Sequence, residues 1–272
     1  MSLLLHVSDT HFGTEQAPVA AALLALAHER RPDVLVFSGD VTQRARASQF
    51  AAAGRFCAAL RIPRVLVLPG NHDIPLFNLA ARVWWPYAGY CGVFGPTLEP
   101  EIDTPGLLVL GVNTTRAARH KNGEVSAGQI DRVARRLLQA APGQLRVVVT
   151  HQPAAVARAQ DEHDRLRGAA AALQAWSSAG ADLVLGGHIH LPYVLDLRAQ
   201  DVPVSRPMWC VQAGTALSSR VRHGTANSVN LLHWDGAGPD ARRSCGVERC
   251  DYNAGQGRFE TALRHELALA PG

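Results

Sequence analysis

The sequence predicts an α/β fold in which helices cover two β-sheets, and three observations carry that prediction. Short apolar runs alternate with helically spaced segments through the first two thirds of the chain. A polar cluster follows most of those runs. From residue 193 onward, β-like runs succeed one another with only Gly, Pro and Asp turns between them.

Residues 3–7 form a short apolar run that ends at Ser8-Asp9. Residues 17–30 place Val19, Leu23, Leu26 and Ala27 at helical spacing. Pro18 is tolerated in the first turn of that helix, and Pro32 stops it. Residues 34–37 are too few for a helix and lead into Ser38-Gly39-Asp40. A second helix over 45–60 and a strand over 65–68 follow. Strands joined by helices imply a parallel sheet with right-handed crossovers. Sites in such sheets form beyond the carboxyl ends of the strands, where Asp9, Asp40 and Asn71 fall.

The middle of the chain repeats this grammar. A strand over 107–112 ends in Asn113, and a helix covers 126–140. A strand over 145–149 leads to His151, a helix covers 169–179, and a strand over 182–185 runs into paired glycines. The later runs at 193–197, 208–212, 228–234 and 246–252 suggest an antiparallel second sheet. Two sheets with helices outside would cover all of the apolar faces. Residues 74–100 fit neither pattern. They carry Trp84, Trp85, Tyr87, Tyr90 and Phe94 and read as a helix followed by a loop over the site entrance, with the aromatics packing a satellite core or forming a substrate platform.

At 272 residues, with 47% hydrophobic content and mean hydropathy −0.02, the chain reads as one domain over 1–272. The motifs occupy 3–190 and a β-rich part 191–272. No run is apolar for long enough to span a membrane, and the N-terminus reaches Asp9 too early for a signal peptide. A cytoplasmic location is expected. The net charge of +4 mildly favours anionic partners but marks no nucleic-acid surface. Five dispersed cysteines make no disulfide framework. Cys245 and Cys250 are close enough in sequence to touch across a hairpin, although small buried residues are the simpler reading.

Five polar clusters stand at strand ends: Asp9-Thr10-His11, Gly39-Asp40, Gly70-Asn71-His72-Asp73, Thr150-His151 and Gly186-Gly187-His188-Ile189-His190. Together they offer enough oxygen and nitrogen donors for two metal ions. Paired cations about 3.5–4 Å apart supply a nucleophile and neutralise charge in phosphoester hydrolysis. They need a shared anionic ligand, and Asp40 is the candidate bridge. Asp9 adds a second carboxylate, His11, His151, His188 and His190 add imidazoles, and Asn71 adds an amide oxygen. His-x-His in a strand would put both imidazoles on one face. The imidazole-rich mixture favours two divalent transition-metal ions, Mn or Fe foremost with Zn, Co or Ni also suited, over Mg or Ca. The glycines at 39, 70, 186 and 187 permit close backbone approach. The histidines at 6, 28, 120, 163, 223, 233 and 265 read as structural or solvent-exposed.

These residues resemble the calcineurin-like metallophosphoesterases. That family's pattern is Asp-x-His, Gly-Asp, Gly-Asn-His with Asp or Glu, a lone His, and Gly-His-x-His, in that order. All of its parts occur here, over residues 3 to about 190. The resemblance implies an αββα sandwich of two mixed sheets. It implies one metal on Asp9, His11, Asp40 and His190, and a second on Asp40, Asn71, His151 and His188. It also makes His72 a phosphate contact and proton donor to the leaving group. Within the family the chain looks most like bacterial phosphodiesterases related to the class III cyclic-nucleotide enzymes. Two departures stand out. Gln43 replaces an Asp that pairs with the catalytic His in several members, which leaves Asp73 as a candidate to orient His72. Thr150-His151-Gln152-Pro153 replaces the His-His-Pro-Pro of many relatives.

The expected function is therefore hydrolysis of a small or cyclic nucleotide, or a related phosphodiester, by in-line attack of a bridging hydroxide. The expected partner is a small phosphoester substrate. Rival readings are a phosphomonoesterase or phosphoprotein phosphatase, a nuclease, and a non-enzymatic scaffold, which would not need the full ligand set plus His72. Arg116 is a candidate phosphate contact or an exposed structural arginine.

Overall fold

Alternation along the strands decides the layering. In β1 (Ser2–Val7), Leu3, Leu5 and Val7 join a core under the helices, whereas Leu4 faces the opposite way into a second core. A strand that buries both faces must lie between two layers. The computed structural model describes residues 2–236 and 243–271. Its further elements are α1 (Ala17–Arg30), β2 (Val34–Phe37), α2 (Ala47–Ala59), β3 (Arg64–Val67), α3 (Leu79–Trp84), α4 (Ala88–Phe94), β4 (Glu101–Asp103), β5 (Leu107–Gly111) and α5 (Ala127–Leu138). They continue with β6 (Leu145–Val149), α6 (Ala169–Ser178), β7 (Leu183–Gly186), β8 (Tyr193–Asp196), β9 (Trp209–Gln212), β10 (Ser228–Trp234), β11 (Ser244–Asn253) and β12 (Arg258–Ala268).

Two six-stranded mixed sheets result, ordered β12-β11-β10-β1-β2-β3 and β4-β5-β6-β7-β9-β8. The central core lies between them. It brings Leu4, Val36, Leu66 and Leu232 of the first sheet against Val109, Val147, Leu185 and Val211 of the second. One outer core buries Leu23, Phe50 and Phe56 from α1 and α2 against the first sheet. The other buries Ile130, Leu173 and Trp176 from α5 and α6 against the second. Fully burying each such side chain contributes about 1.5–3 kcal/mol, so covering both faces of both sheets is what favours the αββα sandwich expected from the sequence.

The antiparallel second sheet expected from the C-terminal strands does not form. β8 and β9 join β7, and β9 runs parallel to it. β10, β11 and β12 extend the first sheet beyond β1. Burial explains this placement. β10 hides residues on both faces, Val229 and Leu231 on one and Leu232 and Trp234 on the other. A central position between β1 and β11 covers both, and an isolated hairpin would cover neither.

β4 and β12 are two strands that the sequence pattern does not predict. β4 has three residues, and β12 is largely polar and exposed, so neither carries an apolar run. Cys245 and Cys250 cannot meet across a hairpin, because both lie on β11 and point into opposite cores. The 74–100 stretch holds two short helices, α3 and α4, instead of one helix and a loop. Tyr90 is buried in the outer core under α1 and α2, so no separate satellite core forms around it, and it donates to the Val67 carbonyl at 2.7 Å. Trp84 and Trp85 are two-thirds exposed. Among the described residues, no helix is long and apolar enough to cross a membrane.

Candidate metal centre

The parallel strands of both sheets deliver their C-terminal ends to one place. Asp9 and His11 follow β1, Asp40 follows β2, and Asn71 and His72 follow β3. His151 follows β6, and His188 and His190 follow β7. Most of these side chains are buried. Asp40, Asn71, His72, His188 and His190 line a cavity of about 630 Å³.

Two donor groups share Asp40. On one side, His11 Nε2 lies 3.1 Å from His190 Nε2, 3.8 Å from Asp9 Oδ1 and 3.7 Å from Asp40 Oδ2. His190 Nε2 lies 3.3 Å from Asp9 Oδ1. On the other side, His151 Nε2 lies 3.3 Å from Asp40 Oδ1 and 3.2 Å from Asn71 Oδ1. His188 completes a cluster with Asp40 and His151.

The hydrogen bonds behind these atoms orient them. His151 Nδ1 donates to the Ser38 carbonyl at 2.8 Å, and His190 Nδ1 donates to the Arg220 carbonyl. In the neutral imidazole, each bond leaves a lone pair on Nε2. Lone pairs therefore face the Asp9, Asp40 and Asn71 oxygens, an arrangement of acceptor against acceptor that a cation relieves. Asp9 Oδ1 and both ring nitrogens of His188 are buried with no hydrogen-bond partner among the described residues. Buried polar atoms are rarely left so, and these fit metal ligation.

Electrostatics point the same way. Burial opposes ionisation of Asp40, but His151, His72 and His11 outweigh it and hold the carboxyl well below its usual range. Burial would lower His151, yet Asp40 and Asp9 raise it to about 9. For His11, burial prevails over both carboxylates and lowers it to about 3. The two carboxylates create a negative potential that draws positive charge, as protons or as metal cations.

Backbone strain concentrates here as well. Asp9, His11, Asp40, His188 and His190 all have positive φ, between 44° and 74°. A left-handed conformation costs a non-glycine residue on the order of 1–2 kcal/mol, and such outliers gather at functional sites. His188 and His190 thus converge from a loop. The expected strand alternation plays no part, since β7 ends at Gly186.

Gly39 illustrates the close approach. Its φ is +106°, and a Cβ there would stand 2.5 Å from His151 Nδ1. Gly39→Ala is expected to destabilise the fold by more than about 1 kcal/mol and to lower metal content. Urea denaturation and elemental analysis would check this; unchanged values in both would refute the steric argument.

Other expected roles change. Asp73 does not orient His72. Its carboxylate accepts from the Val41, Thr42 and Gly70 amides and the Thr42 hydroxyl, which ties the loops after β2 and β3 together. His72 Nδ1 instead donates to the Gln43 main-chain carbonyl at 3.0 Å. Arg116 is structural, since it donates to the Asn113 and Thr115 carbonyls and to Gln129 Oε1 and does not line the cavity. His120 is solvent-exposed, as expected, and also lines the cavity.

Lys121, Asp161, Asp164, Arg220 and Arg222 also stand in the cavity wall, and no sequence motif marks them. Arg220 and Arg222 follow β9, so the strand-end rule reaches them only once β9 is placed parallel to β7. Asp161 and Asp164 belong to a short 3-10 segment with no periodic signal.

A family model described as calcineurin-like phosphoesterase matches residues 3–192. The chain is similar to the glycerophosphodiester phosphodiesterase GpdQ of Enterobacter lignolyticus (strain SCF1), with 37% identity over 84 residues. That match covers 26% of this chain and 29% of the relative, less than a third of its length. Among solved structures, the chain is similar to a dimetal phosphatase from Danio rerio, with TM-score 0.68 and 11% identity over 99% of both chains. It is also similar to purple acid phosphatase PPD1 from yellow lupin, with TM-score 0.64, 13% identity, and coverage of 98% of this chain and 53% of that one. Identities this low establish the shared fold alone.

Proposed function

The chain belongs to the calcineurin-like phosphoesterase family of dinuclear-metal hydrolases, and from that premise we propose that it is a phosphodiesterase for a small or cyclic nucleotide or a related small diester, acting as one domain over residues 1–272. The observation that carries this reading is the convergence of Asp9, His11, Asp40 and His190 beside Asn71, His151 and His188, with Asp40 between them. In this reading the first four would hold one cation, and Asp40, Asn71, His151 and His188 would hold the other. When bound, the pair supplies charge neutralisation and an activated water as nucleophile.

The chain's own residues do the rest. His72 faces the cavity and donates a proton to the leaving oxygen. Gln43 holds the imidazole through its carbonyl. Two of the cavity's cations are already paired. Lys121 meets Asp164 at 2.7 Å, and Arg222 makes a two-point contact with Asp161 at 2.7 and 3.1 Å. Arg220 is the third cation of the wall and has no carboxylate partner among the described residues, so the charge of the wall attracts a diester monoanion and a monoester dianion alike. The choice of a diester is supported by the partial similarity to a glycerophosphodiester phosphodiesterase.

On Mn-loaded protein, bis-p-nitrophenyl phosphate is expected to turn over faster than the monoester. The reverse ratio would favour a phosphatase, cleavage of single-stranded DNA a nuclease, and no turnover a scaffold. Mn and Fe are the proposed metals. Four imidazoles bind these ions well and Mg poorly, so metal-stripped protein is expected to regain activity with Mn and little with Mg. Full recovery with Mg alone would count against four imidazole ligands.

A further inference from the structure

We propose that Arg220, presented by Gln43, forms an oxyanion site for the substrate's phosphoryl group beside the metal centre; this rests on the phosphoester reading above. Arg220 Nη1 donates to Gln43 Oε1 at 2.9 Å and lies 3.2 Å from His72 Nε2. Its main-chain carbonyl accepts from His190 Nδ1 and from the Thr215 hydroxyl. The loop after β9 is thereby pinned at the backbone while the guanidinium reaches the cavity wall next to His72.

Charge separates Arg220 from its neighbours. Three cations, Lys121, Arg220 and Arg222, line this cavity. Lys121 and Arg222 are each held by a carboxylate, and a paired cation has less to offer a ligand. Among the described residues, no carboxylate lies within ion-pair distance of Arg220, and its Nε and Nη2 have no hydrogen-bond partner. A neutral amide at position 43 orients the guanidinium without cancelling its charge. The remaining donors form a planar fork suited to two phosphoryl oxygens. A carboxylate at 43 would instead hold the guanidinium as Asp161 holds Arg222.

The test uses the full-length, Mn-loaded protein with inorganic phosphate as probe, titrated by calorimetry, and elemental analysis on every variant. Arg220→Ala is expected to weaken phosphate binding about 10- to 100-fold, the effect of losing a charged hydrogen-bond donor. Both metals should remain, because the main-chain carbonyl that orients His190 is kept. Arg220→Lys should recover part of the loss. Gln43→Glu should weaken binding too, although the guanidinium is still present, and it reports on the same idea if Arg220→Ala folds poorly. Equal phosphate affinity in wild type, Arg220→Ala and Gln43→Glu would overturn the proposal. Loss of phosphate binding together with metal would also overturn it, by assigning Arg220 to the support of His190. Phosphate binding is read whether or not a diester is hydrolysed. Failure of the hydrolytic reading would appear separately, as wild-type protein that binds phosphate and turns over no ester.

Discussion

Asp40→Asn is expected to remove at least one metal and to lower hydrolysis by on the order of 10³-fold or more, at least the loss from deleting a single transition-state donor. Asp40 is the residue both donor groups share. Its Oδ2 faces His11 and its Oδ1 faces His151. An amide keeps one oxygen but gives up the negative charge and the second acceptor, so it cannot serve two cations. The fold should survive. Asp40 Oδ1 accepts the His72 amide at 2.8 Å, a bond that an asparagine oxygen can keep, and the change also removes a buried charge near Asp9. Elemental analysis, circular dichroism and turnover on one preparation separate these outcomes. Two tightly held metals in an active variant would sink the bridging role.

His72→Ala is expected to keep both metals and to discriminate between leaving groups. General acid catalysis contributes about 10²–10⁴-fold. A nitrophenolate departs without help, so activity on nitrophenyl esters should fall little. An alkoxide needs a proton, so an alkyl diester should lose far more. The loss should lie near about 10²-fold, the low end of that range. The group that receives Nδ1 is the neutral Gln43 carbonyl, which orients the ring without adding charge. Equal losses on both substrate types would mean that His72 acts by binding phosphate, and the proton-donor role would have to be dropped.

What could be read in advance follows from the range of the forces involved. Apolar runs and helical spacing are local, so the strands and helices over residues 3–68 and 107–186 are legible to within a residue or two at most ends, whereas α3, α4 and β4 between them, which carry no clear period, are not. The strand-end rule then places Asp9, Asp40, Asn71, His151, His188 and His190 on one side of the parallel strands, because each follows an apolar run in the sequence itself. Chemistry beyond that depends on which strand lies beside which. Nothing local distinguishes a β9 that pairs parallel to β7 from one that starts a new sheet, so Arg220 stayed hidden.

The sequence by itself determined an α/β chain with a concentrated set of candidate metal-ligating side chains, because residue type and spacing already carry that information. Tertiary structure alone decided how they are used. It divided the C-terminal strands between two sheets, because β10 needed cover on both faces. It held five of the predicted ligands at positive φ, a conformation that neither Asp nor His announces and that only surrounding contacts can sustain. It turned Asp73 toward the amides of Val41, Thr42 and Gly70 and away from His72. It also brought Arg220 to Gln43 across a sequence separation of 177, since a hydrogen bond depends on distance in space and leaves no trace in the order of residues.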